Sequence, residues 1–171
     1  FGPIRIACAR SAATMPRMTE LALVFTDIEG STALAERLGD AAATALWADH
    51  DRRARDLLAV HGGREIDHSD GFFAVFPTMA GAAAFAFGYQ EALTGLGVAA
   101  RVGIHFGPVG LRDNAAEDVA RGAKPVEVEG LAKPLAARVM AHARGVILFA
   151  AGLMFYQPHE RLRIEALPAD I

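Results

Sequence analysis

The stretch LVFTDIEGSTALAERLGD (residues 23–40) passes from an apolar run to helical spacing within a few positions, and this change decides the fold. Residues 20–26 are rich in strand-forming side chains, which predicts a buried strand. Beyond it the apolar residues recur at three and four residue steps, which predicts a helix beginning at Ser31 or Thr32. Asp27 lies between the two elements, where it is either a helix cap or a metal ligand.

Composition limits the chain to one ordinary domain and a few kinds of partner. It has 171 residues and a net charge of −3, with no basic stripe that would favour nucleic acid. The single cysteine, Cys8, cannot form an internal disulfide, so we expect a cytoplasmic protein. The longest apolar runs, residues 79–89 and 145–156, are shorter than the roughly 20 residues that span a bilayer. We therefore expect no membrane contact by this domain itself.

The remaining pattern predicts an α+β domain. Apolar segments on both sides of a polar turn make residues 64–76 a hairpin. A helix follows, and then residues 98–111 are predicted as a strand, a glycine bend and a second strand, before a loop over residues 112–122. An extended segment, a helix and a last strand complete the order. This order favours a largely antiparallel sheet with helices on one face.

The ends of the chain differ from its middle. Residues 1–17 mix Gly, Pro, Arg and Ala without a sustained period, which is typical of a poorly ordered lead. Residues 151–171 form an atypical C-terminal tail. We therefore assign the domain to residues 18–150.

Two carboxylates carry the chemical hypothesis. Asp27 ends the first strand, and Asp70 lies at the tip of the hairpin. An Asp before a helix is usually a cap, and an Asp-Gly at a hairpin tip is usually a turn. Together on one sheet, however, they are suited to hold two divalent ions for phosphoryl chemistry. The following residues 28–32, IEGST, place backbone N–H groups at a helix N-terminus, which favours a nucleoside triphosphate as ligand.

Four blocks of sequence carry a resemblance to a known family: residues 24–40, 62–76, 100–109 and 130–145. In order and spacing they resemble the class III adenylate/guanylate cyclase catalytic domain over residues 21–149. The resemblance implies a ferredoxin-like βαββαβ core and a head-to-tail homodimer with composite sites. It also implies two Mg²⁺ or Mn²⁺ ions per site and conversion of ATP, or secondarily GTP, into the 3′,5′-cyclic nucleotide and pyrophosphate in intracellular signal transduction.

The resemblance also implies roles for individual residues. Asp27 and Asp70 would bind the metal ions with the Ile28 carbonyl, and Arg138 would act on the transition state together with the two aspartates. Glu127 falls at a base-recognising position. The phosphate-binding group comprises the amides of Glu29, Gly30, Ser31 and Thr32, with the Arg101 side chain.

The sequence departs from the family pattern at the base and ribose end. Pro134 stands where most members have an asparagine, so Lys133 is the neighbouring candidate for the ribose. In the strand before Asp70, Asp67 and His68 stand in place of a purine-selecting lysine; His68 either contacts the base edge or faces solvent. A catalytically degenerate cyclase-homology module, for nucleotide binding or regulatory dimerisation, is therefore the alternative hypothesis.

Overall fold

The central strand of the sheet is β1 (Arg17–Ile28), and its pairing on both sides organises the fold. In the computed structural model, which describes residues 17–143, 147–150 and 155–156, β1 lies antiparallel between β3 (Phe72–Phe76) and β4 (Ala100–Asp113). β2 (Arg64–His68) joins β3 in the predicted hairpin at one edge. The first predicted strand thus becomes the middle of the sheet.

Beyond β4 the sheet continues in two directions. β5 (Val126–Glu129) pairs with residues 110–113 at the C-terminal end of β4, while β6 (Ile147–Ala150) runs parallel to residues 102–105 of β4. β7 (Phe155–Tyr156) pairs antiparallel with β6. The order along the sheet is β2-β3-β1-β4-β6-β7, and β4–β6 is the parallel pair. The predicted α+β class with a mostly antiparallel sheet is confirmed.

Helices connect these strands. α1 and α2 follow β1 and are separated at Gly39, which has a left-handed φ of 78°. None of the helices in the described residues combines the length and the hydropathy that a transmembrane span requires. The helices are α1 (Ser31–Leu38), α2 (Asp40–Val60), α3 (Met79–Thr94), α4 (Ala116–Ala120) and α5 (Ala132–His142).

The sheet is covered on both faces. Val24 on β1 belongs to a core with α2 and α3, whereas Leu23 belongs to a second core with Ala136 of α5. Both side chains are fully buried, which explains why the apolar run in β1 does not alternate with polar residues. The prediction of helices on one face holds for α2 and α3, while α5 lies on the opposite face because that face is also apolar.

Two local predictions are corrected by the structure. Residues 100–113 form one continuous strand, because β1 pairs with every residue from 100 to 111 and this pairing overrides the local signals of Gly107 and Pro108. The predicted loop over residues 112–122 contains the short helix α4. The proposed lead and tail lie almost wholly outside the described residues, so those domain boundaries stay predictions.

Candidate active site

The two predicted metal ligands meet at one end of the sheet. Asp27 is the penultimate residue of β1, and Asp70 lies at the tip of the β2–β3 hairpin. The backbone at Gly71 packs so closely on β1 that a Cβ added there would lie 2.0 Å from the Thr26 carbonyl oxygen. Asp27 and Asp70 both line a cavity of about 160 Å³. The tertiary fold therefore brings the two carboxylates together.

Arg101 lies directly across from Asp27 in the β1–β4 pair. Its Nε donates to Asp27 Oδ2 at 3.0 Å, and its Nη2 donates to the same oxygen. The side chains are 35% and 21% exposed, so solvent screens the pair and its contribution to stability is small, about 0–1 kcal/mol. A ligand that competes for either partner can therefore displace this ion pair.

The donor atoms at this end suit a hard divalent cation. Mg²⁺ is commonly held by one or two carboxylates together with substrate phosphates, and Asp27 and Asp70 supply the carboxylates. The described residues contain no cluster of three or more His, Cys, Asp and Glu side chains able to hold a metal ion. A site here would thus combine Asp27, Asp70, a backbone oxygen such as that of Ile28, and oxygens of the ligand.

The turn after β1 leaves backbone donors at the start of α1. Gly30 occupies the N-cap position with a left-handed φ of 65°, and no side chain caps the helix. The N–H groups in the first turn of a helix, here those of Ser31 and Thr32, lack intrahelical acceptors and attract anions. The Glu29 amide differs, because it donates to the Ala99 carbonyl at 2.9 Å. The predicted phosphate turn is therefore reduced to Gly30, Ser31 and Thr32.

Two of the four predicted base and ribose residues, Asp67 and Lys133, lie on the face that α5 covers. Asp67 forms an ion pair with Lys124, whose hydrogen bond lowers the pKa of that carboxyl. Lys133 Nζ lies 5.3 Å from the centre of the Phe73 ring. Glu127 on β5 is next to Val128, which packs with α5, so the Glu127 side chain points to the other face. Lys124 was missed by the sequence reasoning, because no local pattern connects it with a residue 57 positions away.

His68 points to the opposite face. Its Nε2 lies 3.0 Å from Asp51 Oδ1 on α2, and its ring packs on Phe72. Successive side chains of a strand point to opposite faces, so Asp67 and His68 cannot extend toward the same part of a ligand. The structure therefore separates His68 from Asp67 and Lys133.

A larger cavity of about 580 Å³ lies between α1, α2 and the hairpin tip. It is bordered by His50, which is 2% exposed and lies 2.7 Å from the Tyr89 hydroxyl and 2.9 Å from Asp51 Oδ1. Burial lowers the pKa of His50, although the hydrogen bond with Asp51 acts in the other direction. The sequence held a signal for this residue, since His50 shares the helical spacing of the buried Ala43 and Ala54.

Arg138, the predicted transition-state residue, is exposed on α5. On the same helix Ala136 and Val139 are buried, and Met140 lines the cavity that contains Asp27. Residues two positions apart on a helix point in nearly opposite directions, so Arg138 faces away from the aspartates of its own chain. Pro134 lies in the first turn of α5, where its missing N–H removes no helical hydrogen bond.

The sequence matches no protein-family model and no curated protein. Solved structures match it in fold. The adenylyl cyclase CyaB from P. aeruginosa is 19% identical with a TM-score of 0.72, and the match covers 81% of this chain and 80% of that one. The guanylyl cyclase Cya2 is 21% identical with a TM-score of 0.69, covering 80% and 77%.

A third similar structure is the guanylate cyclase domain of RhGC from Catenaria anguillulae in complex with GTP. It is 15% identical with a TM-score of 0.67, and the match covers 78% of this chain and 79% of that domain. At these identities the likeness defines the fold. The chain has the fold of the class III adenylyl/guanylyl cyclase catalytic domain, and it matches adenylyl and guanylyl cyclases about equally well.

Proposed function

We propose that this protein is a purine nucleotide cyclase that converts ATP, with GTP as the second candidate, into the 3′,5′-cyclic nucleotide and pyrophosphate. One observation carries the proposal: Asp27 and Asp70 converge beside an uncapped helix N-terminus in a domain with the cyclase fold. In the reaction, the ribose 3′-oxygen bonds to the α-phosphorus, and the bond to the bridging oxygen breaks. Pyrophosphate leaves, and the hydroxyl proton passes to solvent.

Asp27, Asp70 and the Ile28 carbonyl would hold two Mg²⁺ or Mn²⁺ ions. When bound, such ions favour the ionised 3′-hydroxyl and neutralise phosphate charge. The amides of Ser31 and Thr32 would bind phosphate oxygens. Arg101 would exchange its ion pair with Asp27 for a contact to phosphate, which its partial exposure allows.

We extend the proposal to a homodimer with composite sites. Its support is the outward position of Arg138, which cannot act on a phosphate held by the aspartates of its own chain but can act on one held by a second copy. Its guanidinium would stabilise negative charge that develops on the phosphate. The single cysteine supports a reducing compartment, so we place the domain in cytoplasmic signalling.

The direct test is product formation by purified protein with Mn²⁺ and ATP or GTP. We expect cyclic nucleotide, and a loss of about 100-fold or more in kcat for Asp27→Asn and for Asp70→Asn, since each removes a charged metal ligand. Asp56→Asn is the matched control, because Asp56 is an exposed residue of α2 outside the site. Full activity in either site variant would contradict the assigned roles.

The alternative function is a catalytically degenerate module that binds nucleotide or dimerises to regulate an attached domain. It is favoured by the Arg101–Asp27 ion pair, which engages a metal ligand, and by Pro134, which has no side-chain hydrogen-bonding group. This alternative would be established if the wild type binds nucleotide and forms dimers but makes no cyclic product. The measurement uses conditions in which Asp27→Asn and wild type are equally folded.

A further inference from the structure

We propose that His50 is a positioning residue that fixes the spacing of Asp27 and Asp70 through a buried chain of hydrogen bonds. The inference rests on the proposed function, because it concerns the same two carboxylates. His50 lies on α2, away from the strands that carry them. Its two ring nitrogens nevertheless connect to both strands, one through Tyr89 and the other through Asp51.

The first connection ends beside Asp27. His50 Nε2 lies 2.7 Å from the Tyr89 hydroxyl, and the Thr26 hydroxyl donates to the same oxygen at 3.5 Å. The Thr26 oxygen in turn accepts the Phe72 N–H at 2.8 Å. All four residues of this chain are at most 5% exposed, so water competes little for these bonds. The chain thus runs from α2 through α3 to the residue that precedes Asp27.

Thr26 lies where the backbone register between β1 and β3 ends. The last pair of this register includes Phe25, so Thr26 is the first residue of β1 beyond it. At this point the Thr26 side chain bonds to the Phe72 amide of β3. The hydroxyl therefore holds the two strands together one residue before Asp27 and two residues after Asp70.

The second connection ends on the other side of Asp70. His50 Nδ1 and His68 Nε2 lie 2.9 Å and 3.0 Å from the same oxygen, Asp51 Oδ1. His68 is the last residue of β2 and precedes Asp70 by two positions. Asp51 therefore holds the strand that enters the hairpin tip, while Thr26 holds the strand that leaves it.

One assignment of protons satisfies the first connection throughout. The Asp51 carboxylate accepts from His50 Nδ1–H, so Nε2 of a neutral ring accepts from the Tyr89 hydroxyl. Tyr89 then accepts from Thr26, whose oxygen accepts from the Phe72 amide. Burial lowers the pKa of His50, which favours the neutral ring that this assignment requires. Removal of one member leaves a buried group without its partner, and the strands that it joins lose a constraint on their separation.

The test is Mn²⁺ binding by the purified protein, measured by the loss of the free-ion signal in electron paramagnetic resonance. Tyr89→Phe keeps the ring and removes the hydroxyl, and we expect it to weaken Mn²⁺ binding about tenfold, as is typical of groups that orient metal ligands. His50→Phe should weaken binding at least as much. His50→Gln, whose side-chain oxygen is an acceptor for Tyr89, should recover most of the affinity. Thr26→Val combined with Tyr89→Phe should cost no more than the larger single loss, because both interrupt one chain.

Two further variants serve as controls. Asp70→Asn should abolish the binding, which shows that the signal reports this site. Leu93→Ala is the matched control for stability, since Leu93 is a buried core residue of α3 outside the chain of hydrogen bonds. It should lower the unfolding midpoint and leave Mn²⁺ binding unchanged.

The outcomes separate this inference from the proposed reaction. Wild-type Mn²⁺ affinity in Tyr89→Phe would overturn the inference, even if the unfolding midpoint falls and whether or not cyclic product forms. Weakened binding in Tyr89→Phe, with no cyclic product from wild type, would support the inference and refute the cyclase proposal alone. Wild type that binds no Mn²⁺, or binding that persists in Asp70→Asn, overturns both.

Discussion

The close approach of Gly71 to β1 allows a sharp test of how the proposed metal site is assembled. In Gly71→Ala the new Cβ would lie 2.0 Å from the Thr26 carbonyl oxygen, 2.7 Å from the Thr26 carbonyl carbon and 3.0 Å from the Asp27 Cα. All three are backbone atoms, which cannot rotate away as a flexible side chain can. Protein Cβ atoms do not approach other heavy atoms closer than 3.0 Å, so the hairpin tip and β1 must separate by about 1 Å.

This separation predicts two measurable effects. Overpacking of this kind costs about 1–3 kcal/mol of unfolding free energy, which lowers Tm by roughly 2–12 °C in a chain of this size. A displacement of about 1 Å between Asp27 and Asp70 should reduce kcat about 100-fold in the proposed reaction, because the two carboxylates no longer match one pair of ions. The reduction should persist at temperatures where the variant is fully folded.

The matched control is Gly63→Ala, at the far end of the same hairpin. Its Cβ would lie 2.5 Å from the Phe76 ring and 2.7 Å from Leu58 Cδ2, so it crowds core side chains and not the site. Differential scanning calorimetry and cyclic nucleotide assays on both variants separate the effects. If Gly71→Ala and Gly63→Ala lose stability equally and both keep wild-type kcat, the assembly argument is refuted.

Three further predictions concern buried groups and the proposed dimer. Burial lowers the pKa of His50 below its unfolded value of about 6.5. The unfolded chain therefore binds more protons than the folded one near and below that pH, so the free energy of unfolding falls as the solution is acidified. His50→Gln should reduce the difference in unfolding free energy between pH 7 and pH 5.5, measured by urea unfolding. The Thr26 hydroxyl accepts the Phe72 N–H at 2.8 Å, so Thr26→Val should cost about 1–3 kcal/mol in chemical denaturation, and an unchanged value would mean that the amide finds another acceptor. Mixing the separately inactive Arg138→Ala and Asp27→Asn proteins should restore roughly a quarter of wild-type activity, because half the dimers then contain one intact composite site; no recovery would contradict the composite arrangement.

Much of the fold was predictable because its signals are local. The strand that leads into Asp27, the helix that begins at Ser31 and the hairpin around Asp70 all follow from periodicity and turn residues, and the structure has each of them. The break predicted near Gly107 was wrong for the opposite reason. A glycine and a proline weaken a strand locally, but pairing with β1 along residues 100–111 maintains it.

The candidate site likewise has a part that was predictable from the sequence and a part that was not. The sequence by itself determined its chemical groups: two acids after strand ends, a glycine turn with free helix amides, and arginines in later segments. Only the tertiary structure decided which groups meet. Arg101 pairs with Asp27 across 74 positions and Lys124 with Asp67 across 57, while neighbouring Asp67 and His68 point to opposite faces. The physical reason is that strand register and sheet pleat act over long distances in sequence, and a local pattern carries no information about the partner.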